Sequence, residues 1–230
     1  MSKKPDLLLL HGALGDARQM ETLAPLLEDH FTLHTYNFPG HGGKAFAEHP
    51  LTMRLLTEHL LDHIREFHLI GCTVFGYSMG GYAALQLEKE KPGCFQRIFT
   101  MGTKFGWRPE VAESEARLID PEFLSHKAPN FAAVLQQRHA PNDWKQLAKE
   151  TGHLMHDLAR HPLTTDDFGK IECKVRVAIG DRDQMVSLEE TRHVYLALPK
   201  ASLLVMPETP HLFEKINHHL LAEEIRRFAQ

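Results

Sequence analysis

The 230-residue sequence predicts an α/β fold: a mostly parallel sheet of about six strands, flanked by helices and carrying a small helical cap insertion. Three observations carry this. Short apolar runs alternate with longer stretches whose apolar residues recur at spacings of three and four. The alternation lapses between about residues 104 and 167, where prolines punctuate short helical segments. One apolar run leads directly into Gly76-Tyr77-Ser78-Met79-Gly80-Gly81, a glycine-flanked serine at the start of a helix-forming stretch.

Taken in order, strands are expected at Asp6 to His11, Phe31 to Asn37, Thr73 to Tyr77, Arg97 to Met101, Lys174 to Ile179 and Ser202 to Met206. Leu7 to Leu10 is a continuous apolar run, the pattern of a strand covered on both faces. Helices are expected at Glu21 to Asp29, Met53 to Phe67, Ser78 to Glu90, Leu188 to Leu198 and Ile216 to Phe228. Pro109, Pro121, Pro129, Pro141 and Pro162 mark starts and stops in the lapse, because proline suits a first helical turn but not an interior. The organisation that follows is a core domain of residues 1–103 and 168–230 with a helical cap of residues 104–167. Phe105, Trp107, Phe123, Phe131, Trp144 and Met155 supply the cap with apolar surface for packing or for lining a pocket.

Composition narrows the function classes. With 43% hydrophobic and 24% charged residues and a net charge of −4, the chain is ordinary for a globular protein. No run of Lys and Arg exceeds a pair, so nucleic acid is not the expected partner. The apolar run after Lys3-Lys4 is too short for a signal peptide or a membrane span. Three widely spaced cysteines, Cys72, Cys94 and Cys173, signal neither a disulfide framework nor a thiolate metal site, and a reducing, cytoplasmic location is expected. The sequence carries no signal for oligomeric state.

The glycine-flanked serine is where chemistry enters. Backbone passes close to backbone at a sharp strand-to-helix turn, so side chains at the glycine positions would clash. Ser78 is thereby lifted out of the sheet at a helix N-terminus, where free N–H groups favour negative charge. A serine hydroxyl needs a neighbouring base, and the base needs a third group to set its tautomer. Two late loops offer them: Gly180-Asp181-Arg182-Asp183-Gln184-Met185-Val186 and Pro207-Glu208-Thr209-Pro210-His211.

On these motifs the sequence resembles the α/β-hydrolase family over nearly its whole length. The resemblance implies a nucleophile at Ser78, a general base at His211 and an orienting acid at Asp183, since the family pattern Gly-x-x-Asp-x-x-Val matches Gly180, Asp183 and Val186. Asp181 is then a turn or capping residue. His11-Gly12-Ala13 matches the family's His-Gly, implying an oxyanion hole made by the N–H groups of Ala13 and Met79. His11 and His41 are expected to be structural. The implied activity is cleavage of a small ester or thioester through an acyl-enzyme, with a small-molecule substrate and no cofactor or metal. A cofactor-free lyase or carbon–carbon bond hydrolase of the same fold, and a non-enzymatic small-molecule receptor, stay open as alternatives.

The resemblance has departures. The chain starts at what resembles the family's third strand, and Pro210 stands where a glycine commonly precedes the histidine. His11-Gly12 and the Pro39-Gly40-His41-Gly42-Gly43-Lys44 loop are similar to the menaquinone-pathway synthase branch, but Tyr82 follows Gly81 where that branch carries an arginine. Among 17 histidines, His59/His63 and His153/His156 have helical spacing without a metal motif, and His218-His219 reads likewise. The Gly40 to Lys44 loop lacks the order that cradles phosphate.

Overall fold

The computed structural model describes residues 3–230. Six parallel strands form one sheet in the order β2-β1-β3-β4-β5-β6: β1 (Asp6–Leu10), β2 (Thr32–Tyr36), β3 (Cys72–Tyr77), β4 (Phe95–Met101), β5 (Lys174–Gly180) and β6 (Ala201–Met206). Residue alternation divides the core in two. Leu8, Leu10, Val74, Ile98, Val175 and Val177 face one apolar cluster, and Leu7, Leu9, Phe75, Phe99 and Met101 face the other. β2 and β6 are the edges, and both are more exposed than β1 and β3, which are buried along almost their whole length.

Helices cover both faces. On the first lie α1 (Met53–Glu66), α2 (Met79–Glu90) and α8 (Leu188–Ala197); on the second lies α9 (His218–Ala229). Caps explain the boundaries. Thr52 accepts from the Leu55 amide at α1, Ser187 and Glu190 form a reciprocal capping box at α8, and Asn217 accepts from the Leu220 amide at α9. The last cap corrects the expected Ile216 start, because Phe213–Lys215 forms a separate 3₁₀ turn before it.

A second correction falls at Glu21 to Asp29, which is not a helix. The chain makes 3₁₀ turns at Ala17–Met20 and Ala24–Leu26. Pro25 has no N–H for the bond to Glu21, and its ring would collide with that carbonyl. The apolar spacing still marks the buried side: Met20, Leu23 and Leu27 are fully buried against the sheet.

Between β4 and β5 every regular element is helical: α3 (Pro109–Leu118), α4 (Pro121–Lys127), α5 (Pro129–His139), α6 (Trp144–Arg160) and α7 (Thr165–Phe168). The first three open on proline, as the sequence predicts. Phe105 and Trp144 join the core and Trp107 packs against it, but Phe123 and Phe131 face solvent and line nothing, because α4 and α5 pack through Leu124, Ala132 and Leu135 instead.

Candidate active site

Gly76, Ser78 and Gly80 form the hinge between β3 and α2. Ser78 has φ 51° and ψ −115°, a conformation costly for a side-chain-bearing residue. The crowding around it is measurable: a Cβ on Gly76 would lie 2.5 Å from the Gly81 Cα, and one on Gly80 would lie 2.7 Å from the Leu10 carbonyl oxygen. The hinge is also fastened. The Ser78 amide donates to the Met101 carbonyl at 2.8 Å, and the Ser78 carbonyl accepts from the buried Thr103 hydroxyl at 3.0 Å.

The loops after β5 and β6 bring Asp183 and His211 together. His211 Nδ1 donates to Asp183 Oδ2 at 2.8 Å, and Asp183 Oδ1 accepts from the amides of Met185 and Val186, each at 2.9 Å. Burial pushes the Asp183 carboxyl up, but the His211 ring and these amides outweigh it and hold the group below the ordinary carboxylate value. An ionised Asp183 accepting from Nδ1 leaves His211 Nε2 with the free lone pair. Asp181 serves the loops instead. Its carboxylate accepts from the Thr209 amide at 3.1 Å, tying the two loops together two residues before His211.

Ser78 and His211 line one narrow cavity of about 80 Å³ together with Ala13 and Met79. Among the described residues no backbone acceptor engages the Ala13 or Met79 amide. Met53, Leu154, Met155, Leu158 and Trp107 make the wall apolar; α6 supplies three of them, and α1 and the segment before α3 supply one each.

Buried histidines hold the Ala13 segment in place. His11 is fully buried; its Nδ1 donates to the Gly12 carbonyl at 2.7 Å and its Nε2 accepts from the Phe38 amide at 3.3 Å. His139, also fully buried, donates from Nε2 to the Leu14 carbonyl at 3.1 Å and accepts at Nδ1 from the Gly42 amide at 3.0 Å. Burial drives both rings down to about 4, so they are neutral in the native protein. His41 lies between them, with ring centroids 5.0 Å from His11 and 5.7 Å from His139, and burial likewise drives it well below the usual histidine value. The expected structural role of His11 and His41 fits these contacts.

The remaining histidine pairs do not converge. His63 is half-buried against Tyr36 and Phe67, while His153 and His156 sit beside different carboxylates, Glu150 and Glu113. Among the described residues no group of three His, Cys, Asp or Glu side chains is placed to hold a metal ion.

Several contributors carry no sequence expectation. Tyr77 donates its hydroxyl to the His211 carbonyl at 2.7 Å, fixing that backbone from the end of β3. Gly102, with φ 61°, lets the chain pass behind the pair; a Cβ there would lie 3.5 Å from both Asp183 Oδ2 and the His211 ring. Arg138 and His139 of α5 both bind the Leu14 carbonyl. A glycine closing a strand was a readable signal for the second; the first and third depend on pairings distant in sequence. Tyr82, in place of an arginine, accepts at its hydroxyl from the Leu163 amide at 2.7 Å and so anchors the chain between α6 and α7.

A parallel sheet with a strained, glycine-flanked serine after its third strand, and an aspartate–histidine pair on later loops, defines the α/β-hydrolase class. A family model described as "Alpha/beta hydrolase family" matches residues 7–226, and the chain belongs to that family. Curated relatives are esterases. A pimeloyl-(acyl-carrier protein) methyl ester esterase of Vibrio vulnificus is 29% identical over 123 residues, covering 53% of this chain and 44% of that protein. The enzyme of the same description from Aeromonas salmonicida is 25% identical over 223 residues, 89% of this chain and 82% of its own length. The first three such relatives are matched over only 44%, 40% and 42% of their length. Among solved structures, MenH from S. aureus superposes with a TM-score of 0.79 at 18% identity, over 99% of this chain and 94% of that one. No helix of the described residues is long and apolar enough to cross a membrane.

Proposed function

We propose that the chain is a serine esterase acting on a small carboxylic ester or thioester, with Ser78 as nucleophile, His211 as general base and Asp183 as the residue that orients it. The observation that carries this is the His211–Asp183 bond of 2.8 Å beside a cavity that His211 shares with Ser78. His211 Nε2 takes the Ser78 hydroxyl proton as Oγ adds to the substrate carbonyl, and the amides of Ala13 and Met79 receive the oxyanion. The tetrahedral adduct collapses to an acyl-enzyme when His211 returns that proton to the departing alcohol or thiol. A water then gives its proton to His211 and attacks the acyl carbon, releasing the acid and restoring Ser78.

The apolar cavity wall and the methyl ester named in the relatives' descriptions both favour an aliphatic acyl ester. A panel of p-nitrophenyl esters and acyl thioesters of graded length, run beside fluorophosphonate labelling, tests the reading. Ser78→Ala should abolish turnover and labelling while the melting temperature stays near wild type. Labelling that survives in Ser78→Ala removes Ser78 from the mechanism.

A further inference from the structure

One feature of the cavity plays no part in ester cleavage. Lys104, on the segment after β4, and Glu115, on α3, both line the space occupied by Ser78 and His211, and their side chains meet at 2.9 Å. Both are largely withdrawn from solvent, at 17% and 14% side-chain exposure. The rest of the wall is apolar or already satisfied; the Thr151 hydroxyl, for instance, donates to the Leu147 carbonyl at 2.8 Å.

A half-buried ion pair is a poor stabilising device, because desolvation consumes most of its Coulombic gain unless further hydrogen bonds complete it. Here they do not. The ammonium has three protons and the carboxylate several lone-pair sites, yet among the described residues each group has only the other as partner. The unused capacity belongs to groups that line the cavity. Lys104 and Trp107 also line a second groove of about 780 Å³, so Lys104 faces both that groove and the inner cavity. The Trp107 indole donates to the Lys104 carbonyl at 3.1 Å, which holds this corner together.

We propose that Lys104 and Glu115 form a specificity-determining subsite for an uncharged hydrogen-bonding group, a hydroxyl or a primary amide, carried on the otherwise apolar acyl chain of the ester. The inference rests on the esterase reading. It selects a neutral group because the pair is itself neutral. A carboxylate drawn to Lys104 is repelled by Glu115 at nearly the same distance, and an ammonium meets the reverse, whereas a hydroxyl or amide accepts from Lys104 and donates to Glu115 together.

The test uses matched p-nitrophenyl alkanoates of graded length ending in methyl, hydroxyl, carboxamide or carboxylate. Wild-type protein should favour the hydroxyl- or carboxamide-terminated ester over its methyl-terminated match at one chain length, by about tenfold in kcat/KM. Lys104→Met alone leaves a carboxylate unpaired and risks misfolding, so the decisive variant is Lys104→Met with Glu115→Leu, checked by its melting temperature. That double variant should lose the preference and hydrolyse the methyl-terminated esters best. Equal or better use of methyl- or carboxylate-terminated esters by wild type at every length overturns the proposal, as does a preference that survives in the double variant. A purely structural latch between Lys104 and α3 would shift the melting temperature and leave the ratio unmoved. Failure of wild type to turn over any ester, without fluorophosphonate labelling, removes the esterase reading and this inference with it.

Discussion

Acidification should weaken the fold through the histidines that hold the Ala13 segment, and the effect can be worked out from two of them. His11 and His139 are fully buried, hydrogen-bonded in neutral form, and lowered to about 4. In the unfolded chain each returns to about 6.5. Between those values the unfolded state binds a proton that the native state refuses, so stability is fully present above about pH 6.5 and declines as pH falls toward 4. At pH 5 the loss is about 2 kcal/mol for each ring. Asp16 beside both rings acts against the shift, while Arg138 acts with it. Glu88, raised by burial, opposes the trend lower in the window. Urea unfolding at pH 7.5 and 5.0 measures the sum, and His139→Gln isolates one contribution, since glutamine keeps a donor for Leu14 but has no titration in this range. The variant should be less stable than wild type at pH 7.5 and should close that gap by about 2 kcal/mol at pH 5. An unchanged gap, or a wild type that gains stability on going from pH 6.5 to 5, would refute the reasoning.

Other consequences follow from the same geometry. Asp183→Asn should lower kcat by about 10³-fold or more, because an amide no longer holds His211 in the Nδ1-protonated tautomer; Asp181→Asn should cost far less, and equal losses would exchange or dissolve the two roles. Gly80→Ala places a methyl against the Leu10 carbonyl at 2.7 Å and should destabilise the fold by about 2 kcal/mol or more, measured by thermal unfolding, with a wild-type melting temperature counting against the hinge as described. Tyr77→Phe removes the bond to the His211 carbonyl and should cost about 1 kcal/mol of stability together with a fall in kcat. An unchanged kcat would show that His211 is positioned by Asp183 alone.

The sequence by itself determined what local chemistry can encode. The central strands were legible because Leu7 to Leu10 is continuously apolar and the run before Ser78 largely so, and the helices between β4 and β5 because proline at a first turn is a local statement. The hinge at Ser78 was legible because it demands glycine at fixed offsets, whereas the pairing of Asp183 with His211 was expected only from the α/β-hydrolase resemblance, whose Gly-x-x-Asp-x-x-Val pattern picks Asp183 over Asp181. Where one residue overruled a pattern, as Pro25 did at the expected helix of Glu21 to Asp29, the periodicity still told which side chains are buried but not the backbone they sit on. What only the tertiary structure decided were pairings across long sequence separations. Arg138 and His139 reach the Leu14 carbonyl, Tyr77 reaches the His211 carbonyl, and α3 brings Glu115 against Lys104. No residue type announces such partners in advance, because a donor or a charge has the same composition whether it faces solvent or a cavity. Only the packing of the helices between β4 and β5 on the sheet withdraws it from water and makes its partner matter.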